Sequence, residues 1–203
     1  MEPFTVTTGD DGVTRCWWGA EPEIYRMYHD TEWGLPASDN HRLFEKLCLE
    51  GFQSGLSWLT ILNKRESFRE VFAGFDFDVV AEFGEQDVER LLTDVRIIRH
   101  RGKIEATINN AGRAQEVREE FGSLASYFWR YEPDDTTSRS IGEAKTPEST
   151  AMAKDLKKRG FKFFGPTTAY AFMQAMGIVN DHLPDCATHP VVTKARAAYK
   201  RPA

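Results

Sequence analysis

The chain has 203 residues, 41% of them hydrophobic and 28% charged, enough to bury a proper core in one domain or one domain with a lobe. No run of eighteen apolar residues occurs, which excludes a membrane-spanning helix, and the opening "MEPFTVTTGDDG" lacks the basic start and apolar stretch of a signal peptide. A cytoplasmic location is expected, and three cysteines, an odd number, argue against a disulfide scaffold and leave core thiols or metal ligands.

In chain order, residues 1–14 read as a short ragged extension. The next stretch, "CWWGAEPEIYRMYHDTEWG", gathers Trp17, Trp18, Tyr25, Tyr28 and Trp33. Such aromatics usually fill a core. Beside glycines they also wall a pocket for a planar ring, where stacking is worth roughly 1–3 kcal/mol per base. Asp39 stands where it can cap a helix whose apolar stripe is Leu43, Phe44 and Leu47. That helix runs into "CLEGFQSGLSW", residues 48–58, where Glu50 arrives as the apolar pattern turns inward. A buried carboxylate is unfavourable unless something uses it.

Ser57 caps the next stripe, Trp58, Ile61, Leu62, Phe68 and Phe72. Val88, Leu91 and Leu92 follow, then Ile104, Ile108 and Ala111 leading on to Val117 and Phe121. Ser123 caps a short helix bearing Leu124, Tyr127 and Phe128, and residues 132–150 form the expected loop, rich in Pro, Ser, Thr and Asp. The clearest stripe is Ala169, Phe172, Met173 and Met176, closed by Gly177. Helical periodicity recurs and strand alternation does not, so the expected fold is all-α. One domain over residues 15–188, with two lobes at most, and a tail over 189–203 complete the expected organisation.

The net charge of −5 does not by itself suggest nucleic acid, but its distribution is uneven. Glu82 to Asp94 is acidic, whereas basic residues gather at Lys64, Arg65 and Arg69, at "RIIRHRGK" (96–103) and at "KDLKKRGFK" (154–162). The last run leads through Gly160 to Gly165 and then Pro166, a first-turn proline. That pattern reads as helix, tight hairpin, helix. It fits an ordinary αα-hairpin with a lysine face and equally a phosphate grip, with N–H groups at the second helix's start and Lys157, Lys158, Arg159 and Lys162 beside them.

Cys16 and His29 stand near the start, and His182 and Cys186, four apart, near the end. If the latter two were helical they would point the same way. Two thiolates and two imidazoles suit a closed tetrahedral zinc site, but this spacing is no standard knuckle, and a buried thiol with a surface histidine fits it as well. Cys48, His41, His100 and His189 show no paired spacing.

Together, "CWWG…YHDTEWG", "CLEGFQSGLSW", "IIRHRGKI", "KKRGFKFFG" and "MQAMGIVNDH…C" resemble, in that order, the 3-methyladenine DNA glycosylase I family. The resemblance runs from about Arg15 to Cys186. It implies an all-α helix-hairpin-helix fold and removal of N3-methylated adenine from alkylated double-stranded DNA, by a monomer that needs no nucleotide cofactor and touches no membrane. It also implies a structural zinc clasp of Cys16, His29, His182 and Cys186 joining the two ends of the domain. The pocket glutamate falls on Glu50, the stacking tryptophan on Trp58, and the other pocket aromatics on Trp18, Tyr25, Tyr28 and Trp33. The backbone grip falls on Arg159 to Gly165, including Gly160 and Lys162. The duplex wedge falls on Leu56, with Gly55 beside it.

Arg96 departs from the family's usual glycine in "GII", Phe52 and Ser54 sit where the family varies, and the tail after Cys186 carries nothing diagnostic. Asn180 stands where related glycosylases carry a catalytic aspartate, and Asp181 is expected to buttress His182. No lysine falls on a nucleophile position, so a monofunctional enzyme is expected. Two rival readings differ in class. A non-catalytic DNA-binding damage sensor would keep the hairpin and clasp without the pocket. A zinc hydrolase would need an open metal position.

Overall fold

The computed structural model describes residues 4–134 and 142–202. Eleven α-helices are formed among them: α1 (Glu23–Thr31), α2 (Asn40–Gln53), α3 (Trp58–Leu62), α4 (Arg65–Val71), α5 (Phe77–Val80), α6 (Glu85–Thr93), α7 (Arg101–Phe121), α8 (Leu124–Phe128), α9 (Pro147–Lys158), α10 (Pro166–Ala175) and α11 (Thr188–Ala198). The caps are those the sequence marks. Asp39 accepts the Arg42 N–H at 2.8 Å, Ser57 that of Thr60 and Ser123 that of Ser126. Thr146 and Ser149 cap the start of α9 reciprocally, with Pro147 at its first position. The loop expected to reach Thr150 therefore yields to helix at Pro147. Its middle lies outside the described residues.

Helix α2 is the hub. Its stripe Leu43, Phe44 and Leu47 is buried, and it packs against α3, α7, α8 and α10. Phe52, Phe68, Phe72 and Phe75 stack beside it to form one continuous core. Truncating any of these rings to alanine is expected to cost about 3–5 kcal/mol.

Three elements differ from the sequence reading. The stripe from Trp58 to Phe72 is two helices rather than one, because the chain turns at Asn63 and Lys64. The segment expected as a ragged extension carries an antiparallel hairpin, β1 (Val6–Thr8) with β2 (Thr14–Cys16), pairing Val6 with Cys16. Three residues per strand are too few for alternation to register in a sequence. The tail is mostly helix α11. It buries Val192, and Arg196 donates to the Gly177 carbonyl and to Glu132 at 2.7 Å.

Candidate active site

The C-terminal end of α2, the aromatic stretch around α1 and the start of α3 converge on one cavity of about 1180 Å³. Trp18, Tyr25, Tyr28, Trp33 and Trp58 all line it, together with Glu50. Trp18 meets Trp33 edge to face with centroids 5.0 Å apart and Tyr25 at 5.8 Å, while Tyr28 lies 5.4 Å from Trp58. The structure thus brings together every residue expected at the pocket. Glu50 is 5% exposed. Trp58 Nε1 is buried with no hydrogen-bond partner among the described residues.

Sequence reasoning missed Lys46 as a member of this cavity. Lys46, also buried, lies one helical turn before Glu50, and its Nζ is 2.7 Å from Glu50 Oε1. It donates to Tyr28 Oη at 2.9 Å and sits 3.3 Å from the Trp58 ring centroid. Burial pushes the Lys46 ammonium toward losing its proton, but Glu50 and Tyr28 outweigh burial and raise its pKa, so it stays charged. A signal existed: Lys46 is three residues after Leu43, on the apolar stripe rather than opposite it.

Below α2 the chain reverses in the turn holding Gly55 and Leu56. Gly55 takes φ +79°, a conformation that glycine adopts without strain, and Leu56 is 40% exposed. Lys103, at the start of α7, anchors this turn by donating to the Phe52 and Ser54 carbonyls at 2.9 and 2.6 Å.

The α9–α10 hairpin presents Gly160, Lys162 and Gly165 at the surface. Two asparagines of α7 fasten it: Asn110 accepts the Lys162 N–H at 2.8 Å and donates to its carbonyl at 3.0 Å, and Asn109 donates to the Gly160 carbonyl. Gly160 reverses the chain at φ +86°. Lys157, Lys158 and Lys162 are exposed and form no ion pair among the described residues. Arg159 departs from the expectation for a grip residue. Its guanidinium is engaged by Glu120 at 2.6 Å and Asp155 at 2.9 Å and lies over Phe121 and Tyr127, so it braces the hairpin from behind.

Cys16, His29, His182 and Cys186 meet as one buried group, their ligand atoms all within 4.8 Å of one another. The ring nitrogens divide cleanly. His29 Nδ1 is held by Asp30 Oδ1 at 2.8 Å and His182 Nε2 by the Trp33 carbonyl at 3.1 Å, so His29 Nε2 and His182 Nδ1 face the sulfurs. Cys16 also accepts the Leu183 N–H. A hydrogen bond from the Cys16 thiol pulls the Cys186 pKa down, and the same contact with burial pushes Cys16 up. The donor set, two sulfurs and two imidazoles with their outer nitrogens fixed, fits a soft-to-borderline divalent metal.

His182 and Cys186 achieve this from a turn, not a helix. Asp30 is fixed in turn by Arg15, which also grips Asp11 of the N-terminal hairpin. Asp181 does not take the expected role of buttress to His182. Its Oδ2 accepts from Tyr170 Oη and Gln174 Nε2, and the Trp33 carbonyl holds the imidazole instead. Asn180 is a strut, accepting the His182 N–H and donating to Thr193.

The site thus combines an acid-floored aromatic cavity, a lysine-bearing helical hairpin and a protruding leucine. A family model described as methyladenine glycosylase matches residues 17–189. DNA-3-methyladenine glycosylase 1 of Escherichia coli (strain K12) is 46% identical over 183 residues, which cover 88% of this chain and 98% of that protein. DNA-3-methyladenine glycosylase of Haemophilus influenzae is 48% identical, covering 86% and 97%. A solved variant of 3-methyladenine DNA glycosylase I in complex with 3-methyladenine superposes with a TM-score of 0.81 at 38% identity, covering 87% of this chain and 97% of that one. The chain belongs to the methyladenine glycosylase family.

Proposed function

We propose that the protein excises 3-methyladenine from alkylated double-stranded DNA by hydrolysing the N-glycosidic bond, leaving an abasic site. One observation carries the reading: a buried carboxylate, Glu50, opens into a cage of five aromatic side chains. Methylation at N3 gives the ring a positive charge. The bond to the sugar is thereby already weak, and the base needs little protonation to leave. The protein's task is to take the base out of the stack and hold it, and unstacking a damaged base costs only a few kcal/mol.

Glu50 accepts a hydrogen bond from the exocyclic amine and favours the cationic ring, while Trp58 and Trp18 stack on it, a cation–π attraction on the order of 0.5–2 kcal/mol. Leu56 fills the gap left in the duplex. Main-chain N–H groups from Phe163 to Gly165, with Lys157, Lys158 and Lys162, hold phosphates of the strand, and this contact is independent of sequence.

The metal of the clasp is zinc in this reading, bound by Cys16, His29, His182 and Cys186. Four protein ligands leave it no open position, so its contribution is structural: it ties the N-terminal and C-terminal segments together behind the pocket. Trp33 supports this link, because its ring lines the pocket and packs 4.6 Å from the His182 ring.

The test uses a duplex carrying methylated adenine, with abasic sites revealed by alkaline cleavage. Cleavable sites are expected with the wild type and not with Glu50→Ala that retains fold and DNA affinity. Binding without abasic sites in the wild type would favour a damage sensor instead.

A further inference from the structure

The carboxylate assigned to the cationic base already has a counter-ion. Lys46 Nζ is within 2.7 Å of Glu50 and rests 3.3 Å from the centroid of the Trp58 ring, the face on which the base is to stack. Both side chains are nearly closed to solvent, 7% and 5% exposed. Two cations at these distances around one buried carboxylate and one ring face repel each other.

We propose that Lys46 is the pocket's internal counter-ion and works by ion exchange: in the free pocket it holds the place of the cationic base, yields Glu50 and Trp58 to that base, and returns when the base has become neutral. The proposal rests on the glycosylase reading. An incoming methylated adenine carries one positive charge, so it replaces the ammonium charge for charge. A neutral purine that displaced Lys46 would leave the Glu50 carboxylate buried without a counter-ion, which is strongly unfavourable.

Hydrolysis reverses the balance. The bond between sugar C1′ and base N9 breaks, and its electron pair stays on N9 and cancels the ring's charge. Water adds its oxygen to C1′ and releases one proton to solvent. The product base is then neutral, and the ammonium competes with it for Glu50. A small adjoining cavity shares Tyr28, Lys46 and Trp58 with the pocket, and Glu32 and Glu45 line it together with their partners Arg42, Arg65 and Arg69.

An internal competitor lowers the affinity of every ligand of the pocket by the same factor, and this separates exchange from a fixed lysine. Two probes serve at mildly alkaline pH: free 3-methyladenine, which is neutral, and its N9-methylated quaternary salt, which keeps its charge. Calorimetry on the wild type and Lys46→Met is expected to show both probes binding at least about ten-fold more tightly to the variant, about 1.4 kcal/mol each. If Lys46 instead stays beside the bound base, the variant gains affinity for the cation and none for the neutral base, and the proposal fails. Weakened binding of both overturns it as well.

Should Lys46→Met not fold, the wild type still decides. The Lys46 side-chain protons, shifted upfield by the Trp58 ring in the free protein, are expected to lose that shift on saturation with the N9-methylated quaternary salt. Retention of the shift refutes exchange. Base release from methylated DNA by the wild type is measured in parallel: its absence would sink the activity itself, whereas release with a stationary Lys46 would sink only the exchange.

Discussion

At the scale of single residues, Glu50 and Lys46 define the pocket's electrostatics as a pair. Glu50 was legible because a carboxylate on an apolar stripe is conspicuous. Lys46 lies on the same stripe but was passed over, because a lysine four residues from a glutamate on a helix reads as a solvated surface pair worth a few tenths of a kcal/mol. Burial changes its meaning. Glu50→Gln strands a charged lysine in the interior and is expected to destabilise the fold by about 3–5 kcal/mol in urea denaturation. The double variant Lys46→Met/Glu50→Gln, which removes both charges, is expected to recover most of that stability and to remain inactive in base excision. A double variant as unstable as the single one would contradict the buried pair.

At the scale of elements, the helix caps and stripes were readable one by one, since Asp39, Ser57, Ser123 and Pro166 act locally. The ties between elements were not, because they join residues far apart in sequence. Asn110 on α7 is an example: it reads as an ordinary polar helix residue, yet it makes both hydrogen bonds that hold the Lys162 backbone in the hairpin. Asn110→Ala is expected to cost about 1–3 kcal/mol of stability and to weaken DNA binding in a mobility-shift titration. Binding of free 3-methyladenine stays unchanged, because the hairpin lies outside the base cage.

Glu32 is a second such tie, holding Arg65 of α4 with two hydrogen bonds of 2.7 and 2.8 Å. Burial alone would raise the Glu32 pKa, but Arg65, with Arg42 and Arg69, draws it below the ordinary 4.5. A carboxylate depressed in the folded state stabilises fully above its unfolded value and loses that contribution as pH falls through the folded one. The wild type is therefore expected to lose stability on acidification below about 4.5 more steeply than Glu32→Gln, measured by denaturant midpoints across pH. Equal slopes would contradict the tie.

At the scale of the whole molecule, the mostly helical architecture followed from periodicity, whereas its closure did not. The cluster of Cys16 and His29 with His182 and Cys186 joins segments more than 150 residues apart, and spacing alone could not pair them; the family resemblance did. The N-terminal hairpin escaped notice for its brevity, although Arg15 and Asp11 extend the brace on His29 through Asp30. A cross-link closing so long a loop is worth roughly 4–5 kcal/mol by chain entropy. Cys16→Ser, or chelation of the metal, is expected to lower the melting temperature by about 8–20 °C in calorimetry, with one zinc per chain in the untreated protein by elemental analysis. Full stability without metal would remove the clasp from the account.

The central claim is that a buried acid in an aromatic cage excises a methylated adenine. It is tested most directly by incubating the protein with DNA treated with a methylating agent and chromatographing the bases set free. Free 3-methyladenine, growing with time in the wild type and absent with the stable Lys46→Met/Glu50→Gln variant, is the expected result. Intact methylated DNA after incubation with the folded, DNA-bound wild type would contradict it.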